Sequence, residues 1–305
     1  MNAHKNHAST AAAASDATAI TPAGALLGEC PVWDGENGRL LWVDLWGGRL
    51  HATDPGTETT STIELAPPLS AVSLTEHGTL VLTSGLCVYE KTEDGTRHLA
   101  DVPDSRCMRV NDTAVDPAGR LWLGTMALPH RAGQAGALWR LDPGEDTPVR
   151  MLDDVALANG IAWSPAADRM YFVDSLRQTI TMFPYDVGDG SLGPGELFVR
   201  VAPEDGMPDG IAVDADGAVW VALAGGGAVA RYSPTGEVQE RIALPVRYPT
   251  SCAFGGPGLR DLFVTSGCRP VDPDHRTAEI TRGAGSLFRV ATGSRGLPTN
   301  RMVIR

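Results

Sequence analysis

Asn159-Gly160-Ile161-Ala162-Trp163, Met170-Tyr171-Phe172-Val173 and Thr179-Ile180-Thr181-Met182-Phe183 are three short apolar runs in close succession. Each is four or five residues long and rich in β-branched and aromatic residues, and the joining segments carry turn formers. Runs of that length and composition are strands rather than helices. The same grouping recurs before and after it. Counterparts of the first run end at Trp33, Leu74, Val115, Val213 and Phe254, so with Trp163 the anchors lie 41, 41, 48, 50 and 41 residues apart. Counterparts of the second run are Leu40-Leu41-Trp42-Val43, Leu80-Val81-Leu82, Leu121-Trp122-Leu123, Val219-Trp220-Val221 and Leu262-Phe263-Val264. A third run follows in each, and segments such as Ser61-Thr62-Ile63-Glu64-Leu65 leave room for a fourth strand. The turns agree: Asp116-Pro117-Ala118-Gly119 and Asp214-Ala215-Asp216-Gly217 place glycine where a hairpin needs positive φ.

Four short antiparallel strands at a period of 40–50 residues are the signature of a propeller blade. One small twisted sheet cannot cover its own apolar faces, but packed between two neighbours it covers both. The expected fold is therefore all-β, a six-bladed β-propeller with four antiparallel strands per blade. It is expected to form a single domain over residues 17–305, behind a disordered tail at 1–16. The last blade needs a strand from elsewhere. Residues 17–27 would close the ring by pairing the chain ends, and Met302-Val303-Ile304 is the other candidate. A β-sandwich would not show six similar units, and a β-helix has a shorter period.

Four residues before the anchors stand Glu29, Ser70, Asn111, Asn159, Asp209 and Thr250. None is apolar and none is basic. In a propeller the first strand of each repeat is innermost, so this register would form a ring of oxygen-bearing side chains at one end of the central channel. Two carboxylates brought together there repel unless a proton or a cation lies between them. With neither Cys nor His at a ring position, oxygen ligation points to one divalent cation, Ca²⁺, Mg²⁺ or Mn²⁺ in preference to Zn²⁺. The competing interpretation is local: Asn159-Gly160 and Asp209-Gly210 are also common turn pairs.

Composition narrows the function classes. A net charge of −12 disfavours nucleic acid and anionic membrane surfaces. Five cysteines without CxxC spacing suggest reduced thiols and a cytoplasmic location. The N-terminal residues lack the apolar core of a signal peptide, and no run is long enough to span a membrane. There is no HExxH pair. A propeller can stand as a monomer or a weak homo-oligomer.

Seven segments then appear in order: Glu29-Cys30-Pro31-Val32-Trp33, Arg109-Val110-Asn111-Asp112, Asp116-Pro117-Ala118-Gly119-Arg120, Gly124-Thr125-Met126, Asn159-Gly160-Ile161-Ala162-Trp163, Pro208-Asp209-Gly210 and Thr250-Ser251-Cys252-Ala253-Phe254-Gly255-Gly256. Together they resemble the SMP-30/gluconolactonase/luciferin-regenerating-enzyme family, from about residue 26 to the C-terminus. The resemblance implies hydrolysis of a sugar lactone with one divalent cation held by Glu29, Asn159 and Asp209. It further implies that Arg109 and Asn111 touch the substrate and that Asp209 transfers a proton. Whether Asp209 takes a proton or only ligates is left open by the residues, because coordination lowers a carboxylate's basicity. Some members carry an acidic substrate contact after the Gly-Thr-Met motif. Here the stretch is Ala127-Leu128-Pro129-His130, with no carboxylate, which implies a preferred sugar different from those members' substrates, with Leu128 favouring a less polar contact. Two other functions are compatible with the repeats: a non-catalytic propeller that binds a partner, and hydrolysis of aryl esters or phosphotriesters at the same centre.

Overall fold

The computed structural model describes residues 17–21, 24–105, 108–128, 134–268 and 283–305, so the expected tail at 1–16 and His130 lie outside the described residues. The chain forms six four-stranded antiparallel sheets arranged as the blades of a propeller. Blades one to five are sequential: β2–β5 (Gly28–Asp34, Arg39–Asp44, Arg49–Asp54, Thr59–Glu64), β6–β9 (Leu69–Leu74, Leu80–Ser84, Cys87–Thr92, Gly95–Asp101), β10–β13 (Met108–Val115, Leu121–Ala127, Gly136–Leu141, Val149–Val155), β14–β17 (Ala158–Trp163, Arg169–Asp174, Thr179–Pro184, Glu196–Arg200) and β18–β21 (Met207–Val213, Val219–Ala224, Ala228–Tyr232, Val238–Ala243). The sixth combines β22–β24 (Pro249–Gly255, Asp261–Ser266, Phe288–Ala291) with β1 (Ala17–Ala19). Among the described residues, the helices are single 3₁₀ turns such as Ser175–Arg177.

Of the two segments expected to complete the last blade, the N-terminal one does so. Ala17 pairs with Val290 and Ala19 with Phe288, and Ile20 N–H donates to Leu287 O at 2.9 Å. Met302 instead bridges to Thr75 beside blade two. The C-terminal segment runs across the anchor end of several blades, with Ala215 N–H donating to Arg295 O, Thr299 Oγ1 to Trp33 O, and Val303 N–H to Gly119 O. The chain ends thus fasten the ring twice, once by a shared sheet and once by a strap.

The core consists of separate clusters, each filling one seam between neighbouring blades. Strand pleating explains why the second strands are continuously apolar. On β11, Leu121 and Leu123 enter the seam with blade two while Trp122 enters the seam with blade four. On β15, Tyr171 and Val173 face blade five while Met170 and Phe172 face blade three. A strand buried on both faces reads as an unbroken hydrophobic run. The Asp-initiated turns fall where the sequence placed them. Asp116 Oδ1 accepts from Ala118 and Arg120 N–H, Asp116 Oδ2 accepts from Trp122 Nε1, and Gly119 closes the turn at φ +84°. Asp214 repeats this with Asp216, Ala218 and Trp220, and Gly217 sits at φ +80°.

The β1 closure predicts a measurable weakness. Ile20 is buried in the seam between the last and first blades. Ile20→Ala is expected to destabilise the fold by about 2–5 kcal/mol, read from the denaturant midpoint, as for other large-to-small core changes.

Candidate active site and its relatives

The first strands β2, β6, β10, β14, β18 and β22 contact one another around the axis, as the innermost position requires. Each carries a register shift near its start: between Glu29 and Val32, Leu69 and Ala71, Val110 and Asp112, Ala158 and Ile161, Pro208 and Ile211, and Pro249 and Ser251. Ser70, Asn111, Asn159, Asp209 and Thr250 fall within these bulges, and Glu29 immediately precedes its own. A bulge re-aims a side chain and increases local twist. The polar residues share a register because a break in pleating recurs at the same height of every blade.

The pairs Asn159-Gly160 and Asp209-Gly210 are therefore strand, not turn. Neither glycine has positive φ; what excludes a side chain is proximity to the next blade. A Cβ on Gly160 would lie 2.8 Å from Asp209 O, and one on Gly210 would lie 2.1 Å from Ser251 Oγ.

The ring is not six equivalent oxygen donors. Four positions stitch one blade to the next, each bonding toward the carbonyl just before the next ring residue. Ser70 Oγ donates to Val110 O at 2.6 Å, and Asn111 Nδ2 donates to Ala158 O at 2.7 Å. Thr250 Oγ1 donates to Gly28 O. Asn159 acts through Ser175: its Nδ2 donates to Ser175 Oγ at 2.8 Å, which donates to Pro208 O at 2.6 Å. Glu29 and Asp209, when ionised, have no hydrogen to donate and cannot make this bond. Asp209 Oδ1 is buried without a hydrogen-bond partner.

The structure brings the sequence-selected residues together at this end. Asn111 Nδ2 also donates to Asn159 Oδ1 at 2.8 Å, joining blades three and four. Arg109 is buried beside Glu29, with its guanidinium 5.2 Å from the centre of the Trp46 ring and Nη1 donating to Val110 O at 3.0 Å. Arg109 Nε and Trp46 Nε1 are both buried without partners. Leu128 follows β11, whose last residue Ala127 pairs with Met108 next to Arg109, so it leaves the sheet at the site end.

Electrostatics set Glu29 and Asp209 apart. Burial pushes Glu29 well above the ordinary carboxylate range, and the charges of Asp209 and Asp112 push it further, against the pull of Arg109. Burial and the charge of Asp112 do the same to Asp209, partly opposed by Gly210 N–H. Asp112 is raised to about 6 by burial, although Thr113 N–H donates to it. Glu29 and Asp112 are each only partly exposed, and the protein packed around them makes burial the main cause of their raised proton affinity. Buried acids that raise one another's proton affinity, beside an orphaned Oδ1 and neutral amide oxygens, form a donor set that fits a hard divalent cation.

Sequence reasoning missed three contributors. Ser175 aims the Asn159 amide, Trp46 supports Arg109 from a hairpin of blade one, and Asp112 sets the local field. Asp112 stood inside a quoted motif, but nothing in its spacing distinguished it from a surface acid. A cavity of about 390 Å³, lined by Asp112 and Cys30, extends from just beneath the ring towards Trp33, Trp163 and the Leu297–Asn300 strap. It lies on the anchor side of the ring, and its walls contain none of Glu29, Asn159 or Asp209, so it is not the centre described above.

Residues 27–268 match the model of the SMP-30/gluconolactonase/LRE-like region. The chain belongs to that family. It is 39% identical over 245 residues to the 6-deoxy-6-sulfogluconolactonase of Pseudomonas putida, covering 79% of this chain and 83% of that one. It is 33% identical to the pentonolactonase of Haloferax volcanii, covering 94% and 98% respectively. Among solved structures, regucalcin of Agrobacterium tumefaciens, described as a calcium-binding protein, superposes with TM-score 0.83 at 27% identity, over 93% of this chain and 95% of that one. Among the described residues, no helix is long and apolar enough to cross a membrane.

The raised acids predict a pH signature in chelator-treated protein. Folded Asp112 holds its proton up to about pH 6, whereas the unfolded chain releases it near pH ~3.9. Its favourable contribution is therefore complete below the lower value and lost as pH rises through about 6. Asp112→Asn is expected to match the parent below pH ~4 and to be about 1–3 kcal/mol more stable at pH 8. Thermal melts across that range test the sign.

Proposed function

We propose that the protein hydrolyses a sugar (aldono-)lactone to the corresponding sugar acid, with one divalent cation held by Glu29, Asn159 and Asp209. It is an enzyme of the carboxylic-ester hydrolase class, a lactonase, as its family and named relatives indicate. The observation that carries the metal reading is the pairing of two buried acids of raised proton affinity with an Asp209 Oδ1 that no protein group satisfies. A non-catalytic scaffold has no use for that arrangement.

A lactone is a cyclic ester. Water adds to the carbonyl carbon, the bond from that carbon to the ring oxygen breaks, and the ring oxygen leaves as a hydroxyl with a proton. A bound divalent cation supplies Lewis-acid polarisation of the carbonyl. The rest falls to this chain's side chains. Glu29 and Asp209 bring the charge that retains the cation, and Asn159 offers Oδ1 while Ser175 fixes its amide. Both Nδ2 hydrogens of Asn111 are engaged, so its Oδ1 remains to accept from a sugar hydroxyl. Arg109 stays protonated at neutral pH, since burial lowers it only to about 10. Its unpartnered Nε offers a charge-assisted donor to a substrate oxygen. The Asp209 carboxylate oxygen that the cation leaves free accepts the proton of the attacking water and returns it to the departing oxygen. Leu128, in place of a carboxylate near this end, favours a sugar with a less polar contact there.

Asp209→Asn and Asn159→Ala are each expected to lower kcat/KM by about 10²–10⁴. Asp209→Asn removes a buried charge that no protein group satisfies, so its melting temperature in chelator should not fall, whereas Asn159→Ala also loses the bonds to Asn111 and Ser175 that join neighbouring blades and should melt lower. A panel of aldonolactones, aryl esters and phosphotriesters, with and without chelator, tests the assignment by acid release. Full lactone turnover by Asp209→Asn, or turnover indifferent to chelator, would reject it.

The raised acids also set the direction of metal affinity with pH. Cation binding must displace their protons, so affinity is expected to rise from pH 5 to pH 8. Calorimetric titration with Ca²⁺, Mg²⁺ and Mn²⁺ measures this, and a flat profile would contradict it.

A further inference from the structure

Away from the ring, the described residues contain one cluster of metal-ligating side chains: Cys87, His98 and Asp101, whose ligand atoms lie within 4.8 Å of one another. It lies on β8 and β9, the two outer strands of blade two. Cys87 pairs directly with Asp101, and Tyr89 pairs with His98. Residues three apart normally point to opposite faces of a strand. Here the register shifts between Val88 and Tyr89, leaving Leu99 as an extra residue on β9. That bulge returns His98 to the face of Asp101, and Nε2 lies 3.0 Å from Oδ1. Tyr89 stands edge-on to the imidazole, with ring centres 5.8 Å apart, and limits its rotation.

We propose that Cys87, His98 and Asp101 form a second metal site, for a borderline-soft divalent ion of the zinc type. The donor set carries the choice of ion. A thiolate and an imidazole suit Zn²⁺ or Co²⁺, whereas Ca²⁺ and Mg²⁺ take oxygen. Tetrahedral ligands around zinc lie about 3.3–3.8 Å apart, so the cluster closes on an ion with side-chain shifts of about 1 Å. The Cys87 proton leaves to solvent as the sulfur–metal bond forms. His98 and Asp101 are exposed, which leaves a fourth position for water.

Placement gives the ion a structural role. β8 begins and β9 ends at the ring end of the propeller, and Gly85 O of the adjoining hairpin accepts from Val110 N–H at 2.8 Å, next to Arg109. β9 is an edge strand with one partner. An ion clasping Asp101 and His98 to Cys87 fastens that edge and stabilises the fold by mass action.

The test uses full-length protein freed of metal, held in excess Ca²⁺ to occupy oxygen sites, and titrated with Co²⁺. Thiolate-to-cobalt charge-transfer absorption should saturate at one equivalent in the parent and in Asp209→Asn, and Zn²⁺ should displace it. Cys87→Ser and Cys87→Ala should lack it, and His98→Ala should bind at least about tenfold more weakly. Lactone turnover in Ca²⁺ should be unchanged by Cys87→Ser. No band in the parent, or an equal band in both Cys87 variants, would overturn the site. Loss of the band in Asp209→Asn would move the ion to the ring and equally overturn it.

Discussion

The seam between neighbouring blades is the constraint from which the rest of this structure follows. A four-stranded sheet of this size has two apolar faces and no means of covering either. Each is buried only against the next blade, so the core is divided into seam clusters rather than gathered at one centre. The arrangement is stable only when closed. That is why β1 completes the last blade and the C-terminal strap crosses the anchor end. Hydrophobic burial is non-directional and cannot by itself fix the register of one blade against the next.

Register is fixed at the innermost strands by bonds from side chain to neighbouring carbonyl. Ser70, Asn111, Thr250 and the Asn159–Ser175 relay place polar atoms at one height, and the bulges turn those side chains towards the axis. Glu29 and Asp209 interrupt the pattern. Each occupies a place where a donor would have stitched two blades, and each brings a buried charge that the other opposes. The fold gives up local stability at the positions where the proposed chemistry needs a concentrated negative field. Arg109, stacked on Trp46, offsets only part of that field.

Much of this was legible in the chain. Blade number and strand count followed from the period and from runs such as Leu121-Trp122-Leu123, because a strand buried on both faces leaves an unmistakable apolar signature. The Asp116 and Asp214 turns were legible because the glycine and the aspartate each have a local task. The ring was visible as a register, although its inner division was not. Ser70 and Thr250 looked like cation ligands by type, and the cross-blade carbonyls that engage them lie about 40 residues away or at the other end of the chain. Ser175 and Trp46 carried no local signal, since each acts on a residue of another strand or blade.

The sequence by itself determined what can be decided within a few residues or by repetition. That covers strand, turn, the number of units, and the chemical type of side chain available at the inner strand starts. Tertiary structure alone decided which of those side chains are engaged in holding blades together and which are left unsatisfied. A hydrogen bond's partner and a carboxylate's proton affinity depend on what lies beside it in space. Around a closed ring, that neighbour belongs to a different part of the chain.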